Sequence, residues 1–198
     1  MAATPAPAAA TRTLIIPGHD DATGCANSCL FRAYVGAEWV VTYSPDVSLA
    51  DQIDAFPLAA PPVVVVHSCG FFALMAARGA GRLHGMRKLV VIDGWFPHDH
   101  LWAGAGADDG ACVKVQVPLD VACVFFFPTF GDRSDYPLEA VVRQAMVERA
   151  DVTVVRGVGF GHNLLYPPFG LVGVRALVDR LVAMPDRRGT DADVVVTF

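Results

Sequence analysis

Short apolar runs of strand length recur along the chain at Thr13 to Ile16, Trp39 to Tyr43, Val63 to His67, Lys88 to Asp93, Val121 to Phe127 and Val152 to Arg156. Between several of them lie segments of helical length, Gly70 to Arg82, Pro137 to Arg149 and Gly170 to Ala183. This alternation predicts an α/β fold, a three-layer α/β/α sandwich around a mostly parallel sheet of about six strands joined by right-handed crossovers. The runs are apolar throughout, as strands covered on both faces must be. Pro137 stands where a first helical turn accepts proline, and Asp135 just ahead of it is suited to capping.

The pattern also sets the organisation. Residues 12–184 read as one domain, and 94–117, rich in Gly, Asp and aromatic residues and without a period, as an excursion loop or small lid. Residues 1–11 read as a flexible Pro/Ala-rich arm with no signal-peptide pattern. Residues 185–198 read as a charged tail ending in DVVVTF, which either pairs as an edge strand or extends from the domain.

Composition narrows the class. Of 198 residues 54% are hydrophobic and 18% charged, a charged share below the roughly 25% usual in globular domains, so much of the chain is expected to sit away from water. The uncharged stretch from Phe56 to Ala77 is long enough to be tested as a membrane span. Pro57, Pro61 and Pro62 break its start, His67 and Ser68 interrupt it, and Val63 to Val66 is a β-branched run, so a buried strand followed by a buried helix is expected instead. Cys25, Cys29, Cys69, Cys112 and Cys123 form no CxxC pair, which suits free thiols and the cytoplasm. A net charge of −5 with no Lys/Arg-rich run argues against nucleic acid and leaves a small, neutral or weakly polar substrate as the expected partner.

Against this frame VVVVHSCGFFALMAA is the strongest chemical signal: a strand runs straight into His67-Ser68-Cys69-Gly70 and then a helix. A nucleophile elbow needs this tight turn, with a small residue two positions after the nucleophile so that the helix starts close to the strand, and Gly70 meets that need. The usual pattern also has Gly two positions before the serine, where this chain has Val66. A serine in this place also serves simply as a helix cap. Taking Cys69 as nucleophile would put Phe71 where the small residue is needed, so its thiol is read as a small buried hydrophobe.

Two further segments bear groups that complete such a site. RGVGFGHNLL places His162 in a Gly-rich loop after the last predicted strand, free to swing its imidazole over a neighbouring strand end as general base. FFFPTFGDRSDYP ends a strand in a turn with two carboxylates, Asp132 and Asp135, either of which can orient an imidazole or merely cap a turn. In TLIIPGHDD the first strand ends in a loop able to return a backbone N–H toward the serine. Asp20-Asp21 and His98-Asp99-His100 lack further ligands at metal-binding spacing, so no metal is expected.

With IIPGH, VHSCG, FGDRSDYP and GFGHN in this order, the span from Thr13 to Val182 resembles the α/β-hydrolase superfamily, most closely its compact branch typified by the retinoblastoma-binding serine hydrolase. The resemblance implies a minimal α/β-hydrolase fold and a triad of Ser68, His162 and Asp135, with Asp132 as the alternative acid. It implies backbone oxyanion donors at His19 and Cys69, no cofactor, and hydrolysis of an ester, thioester or related acyl bond. Trp95, Phe96 and Trp102 would then wall the substrate pocket, near the carboxyl ends of the strands. Val66, and Pro17 where the family has His before Gly18, leave open the alternative of a non-catalytic binding module on the same fold.

Overall fold

The computed structural model describes residues 13–17, 39–40, 49–55, 63–68, 70–94, 118, 120–128, 137–159, 170–187 and 194–197. In chain order these form Thr13–Ile16 (β1), Trp39–Val40 (β2), Leu49–Asp54 (α1), Val63–His67 (β3), Gly70–Gly79 (α2), Lys88–Ile92 (β4), Ala122–Pro128 (β5), Pro137–Glu148 (α3), Val152–Gly157 (β6), Gly170–Ala183 (α4) and Val194–Val196 (β7). The strands make one sheet in the order β2-β1-β3-β4-β5-β6-β7, and every pair is parallel. The expected α/β class therefore holds, with seven strands where about six were expected. Of the two alternatives for DVVVTF it is the edge strand that forms, Val194 to Val196 pairing with Val155 to Gly157. Within the apolar stretch from Phe56 to Ala77, Val63–His67 form β3 and Gly70 to Ala77 lie in α2, and among the described residues no helix is long and apolar enough to cross a membrane.

Successive side chains of a strand alternate between faces, and here both faces are core. Leu14, Val64, Val66, Leu89, Val91, Phe125 and Val154 lie on one face, under Phe71 and Leu74 of α2 and Leu138 and Val142 of α3. Ile15, Val65, Val90, Ile92, Val124 and Phe126 lie on the other, covered by Leu177, Val178 and Leu181 of α4. These two clusters make the layers on either side of the sheet. They also correct one expectation. The units β3-α2-β4, β5-α3-β6 and β6-α4-β7 all step the same way along the sheet, yet α4 packs on the face opposite α2 and α3. The last crossover is therefore of opposite hand to the other two, a departure from the usual uniform handedness. Its cause is visible in the packing: α2 and α3 occupy the first face, and the apolar centre of the second needs cover.

The amino-terminal edge of the sheet is braced by polar pairs. Arg78 bonds Asp120 at 2.6 Å, Arg149 bonds Asp151 at 2.8 Å, and Arg82 bonds Asp54 at 2.9 Å. Lys88, the first residue of β4, is buried and donates to the carbonyl of Val182 at 3.1 Å and to that of Met184, with Asp186 Oδ1 at 3.4 Å. A cation at the carboxyl end of a helix satisfies carbonyls that the helix cannot. Lys88→Met is expected to destabilise the protein by roughly 2 kcal/mol, since a hydrogen-bonded charged donor is removed from helix-end acceptors. Burial holds the Lys88 amine below its ordinary value of 10.5. The unfolded chain then binds that proton more tightly than the folded one, so the wild type gains stability over the variant as pH climbs toward that value. Urea unfolding of both proteins at neutral and alkaline pH reads this difference, and a gap that shrinks with pH would contradict the assignment.

Cys123, inside β5, is buried and its thiol is pushed up to about 12 by that burial. Thiolate is the reactive form, so Cys123 should resist alkylation in the native protein and react on denaturation. Mass spectrometry of iodoacetamide-treated native protein checks this; ready modification of Cys123 would mean that β5 opens.

Candidate active site at the carboxyl edge of the sheet

The chain runs from β1 outward to β2 and then returns to the other side of β1 as β3. The strand order thus reverses between β1 and β3, and in open α/β sheets the crevice outside the carboxyl ends at such a reversal is where ligands bind. Ser68 directly follows β3 at this point. It is buried at 8% exposure and its backbone is left-handed, with φ 53°. Its N–H donates to Ile92 O at 3.1 Å, prolonging the ladder to β4 by one residue, and its carbonyl accepts from Phe71 N–H at 3.2 Å as α2 begins. A left-handed backbone costs an L residue about 1 kcal/mol or more, and such strain is found where the surrounding structure enforces it.

Gly70 enforces it here. A Cβ at this position would stand 2.3 Å from Ile16 O and 2.7 Å from Pro17 O, so α2 starts in direct contact with the backbone at the end of β1. Only a glycine permits this approach. Val66, which stands where an elbow glycine was wanted, is fully buried beside Phe71 and Leu74 in the face under α2. The larger side chain is absorbed by the core, and the turn at Ser68 keeps its left-handed geometry. His67 is also fully buried and pairs with Ile92 in the register.

The next strand ends in the same way. Asp93 follows β4 with φ 43°, its N–H donates to Phe126 O of β5 at 2.8 Å, and it is 2% exposed. A Cβ on Gly94 would stand 2.5 Å from Val91 Cγ1 and 3.1 Å from Leu138 Cδ2. The strand expected to run through Asp93 therefore stops at Ile92, and Asp93 belongs to the edge. Asp-Gly after the β-branched run Val90 to Ile92 is the sequence signal for this turn.

Further along, Arg156 near the end of β6 is paired with Glu139 of α3, with Nη1 at 3.4 Å from Oε2 and Nη2 on Oε1. Its guanidinium lies 5.7 Å from the ring centre of Phe127 in β5, and Arg143 Nε holds Glu139 Oε1 at 2.9 Å. This group ties the end of β6 to the start of α3. Gly159, at φ 86°, follows β6 with left-handed backbone.

His19, Cys69, Trp95, Phe96, Trp102, Asp132, Asp135 and His162 lie outside the described residues. Their segments leave from described strand ends: that of His19 from β1, those of the three aromatics from β4, those of Asp132 and Asp135 from β5, and that of His162 from β6. Because all strands are parallel, these exits share the edge on which Ser68 lies. Among the described residues no three His, Cys, Asp or Glu side chains form a group able to hold a metal ion. No family model, curated protein or solved structure matches the chain.

Proposed function

We propose that this protein is a cytoplasmic serine hydrolase of the α/β-hydrolase type, cleaving an ester, thioester or related acyl bond of a small molecule. The observation that carries this reading is the turn at Ser68: a left-handed serine between a fully buried strand and a helix, with Gly70 in contact with β1 at the point of strand-order reversal. A serine needed only as a cap has extended backbone, not left-handed backbone. Lifting the hydroxyl above the strand end is what a nucleophile requires.

In this reaction Ser68 Oγ attacks the acyl carbon while His162 accepts the hydroxyl proton, and Asp135, or Asp132 in its place, holds the imidazole and stabilises its protonated form. The N–H groups of His19 and Cys69 receive the negative charge that develops on the acyl oxygen, a contribution of about 3 kcal/mol each in comparable sites. The imidazolium returns its proton to the departing alcohol or thiol. Water then attacks the acyl-serine with His162 as base, releasing the acid and restoring Ser68. Trp95, Phe96 and Trp102 supply apolar walls for the acyl group, and no cofactor takes part.

A panel of short- and medium-chain aryl esters and acyl thioesters, assayed with wild type and Ser68→Ala, tests the reaction. Turnover that the substitution removes supports it. Equal turnover by both proteins, or none by a folded wild type, would leave the fold as a non-catalytic binding module.

A further inference from the structure

Among the described residues four large hydrophobic side chains are exposed, and three of them, Val158, Val194 and Val195, gather along β7 at one margin of the sheet. Val195, at 58% exposure, is the most open of the three. β7 closes the strand order, and among the described residues no strand lies beyond it. Successive residues of a strand point their N–H and C=O groups alternately to its two sides. Val196 O accepts from Val158 N–H at 3.0 Å, so Val196 bonds inward to β6 and Val195 presents its N–H and C=O outward. Sheets commonly guard such an edge with a charge, a proline or a bulge. Val194 to Val196 contains no charge or proline, and its register with Val155 to Gly157 is unbroken.

This edge is its own complement. A two-fold axis beside Val195, normal to the sheet, sets two copies of β7 antiparallel, with Val195 opposite Val195 and Val194 opposite Val196. Each Val195 then donates its N–H to the carbonyl of the other, and the two exposed side chains meet on one face. No like charges oppose each other along the run. Arg156, the register partner of Val195 on β6, is itself paired with Glu139. Three strand spacings of about 4.8 Å put Arg156 roughly 14 Å from its counterpart in the second copy, beyond the screening length of about 8 Å at physiological salt. The repulsion between two chains of net charge −5 is therefore not concentrated here. We propose that β7 is a self-association edge, through which two copies of the chain join by antiparallel β7 pairing into one continuous sheet. Three residues a side fall well short of the roughly 800 Å² per partner of a standard interface, so the dimer is weak and reversible.

Sedimentation of the full chain from about 10 µM to about 1 mM tests this and should show a monomer–dimer equilibrium. Val195→Lys sets two ammonium groups against each other, and Val195→Pro removes the outward N–H while leaving the bonds to β6 in place. Each should weaken dimerisation about 10-fold or more. Val147→Lys is the control: it changes the fourth exposed valine, near the end of α3 that leads into the start of β6, and should leave the equilibrium unchanged. Hydrogen exchange reads the same edge without a substitution, and decides the matter should neither Val195 variant fold. The peptide covering 194–197 should exchange fast in dilute protein and more slowly in concentrated protein. A wild type that stays monomeric throughout would overturn the proposal and leave the edge to a strand of another protein. Slow exchange already in the dilute monomer would overturn it too, because a segment of the same chain would then cover β7. A dimer that both Val195 variants leave intact would place the interface elsewhere and equally overturn it.

Discussion

Gly70→Ala is expected to destabilise the protein by about 3 kcal/mol or more, and to slow any chemistry at Ser68, although it adds a single methyl group. The atoms that methyl would meet are the carbonyl oxygens of Ile16 and Pro17, at 2.3 and 2.7 Å. Both are backbone, and β1 is locked between β2 and β3, so neither can rotate aside as a side chain would. Relief requires α2 to lift from the sheet. That would pull Phe71 and Leu74 out of the core and release the turn that holds Ser68. Gly79→Ala is the control: it closes the same helix with nothing within 4 Å of the added carbon, and should be neutral or slightly stabilising. Thermal unfolding followed by circular dichroism separates the two, and a Gly70→Ala protein as stable as wild type would mean that the contact between α2 and β1 is looser than described.

The second large effect concerns the proposed chemistry. Ser68→Ala and His162→Ala should each lower the turnover of an acyl substrate by about 10⁴-fold or more, and the double variant should be scarcely slower than either single one. Such non-additivity follows from a nucleophile and base that act as one unit: without the base the hydroxyl is a weak nucleophile, and without the hydroxyl the base has no proton to take. Ser68→Ala should not alter stability by more than about 1 kcal/mol, since it removes a single oxygen and leaves no large cavity. Multiplicative losses in the double variant would instead describe two residues contributing independently to binding.

Much of this arrangement is legible in the chain before folding, and the exceptions have physical reasons. Val63 to Val66 and Phe125 to Phe127 announce strands because β-branched and aromatic runs favour a pleated, doubly covered surface. Ser68 and Gly70 announce a turn because their spacing answers a local steric need. By contrast, Leu49–Asp54 is a helix of six residues, too short to display a helical period. The opposite hand of the last crossover is set by which sheet face still needs cover, a property of the assembled layers that no local pattern records. The pairing of Arg156 with Glu139 joins residues 17 apart in sequence and leaves no motif. Asp93 reads as the last residue of the strand before it because hydropathy continues smoothly through Ile92, whereas the reversal of φ that separates it from the strand is a backbone property. The segments bearing His162 and Asp135 are legible by motif, as GFGHN and FGDRSDYP.

The most direct measurement is covalent labelling of the purified protein with a fluorophosphonate, followed by identification of the modified peptide by mass spectrometry, with Ser68→Ala and His162→Ala in parallel. An activated nucleophile predicts one phosphonylated residue, Ser68, with labelling abolished by the first substitution and reduced to background by the second. A folded wild-type protein that stays unlabelled, or that labels at Ser68 regardless of His162, would contradict the proposed site.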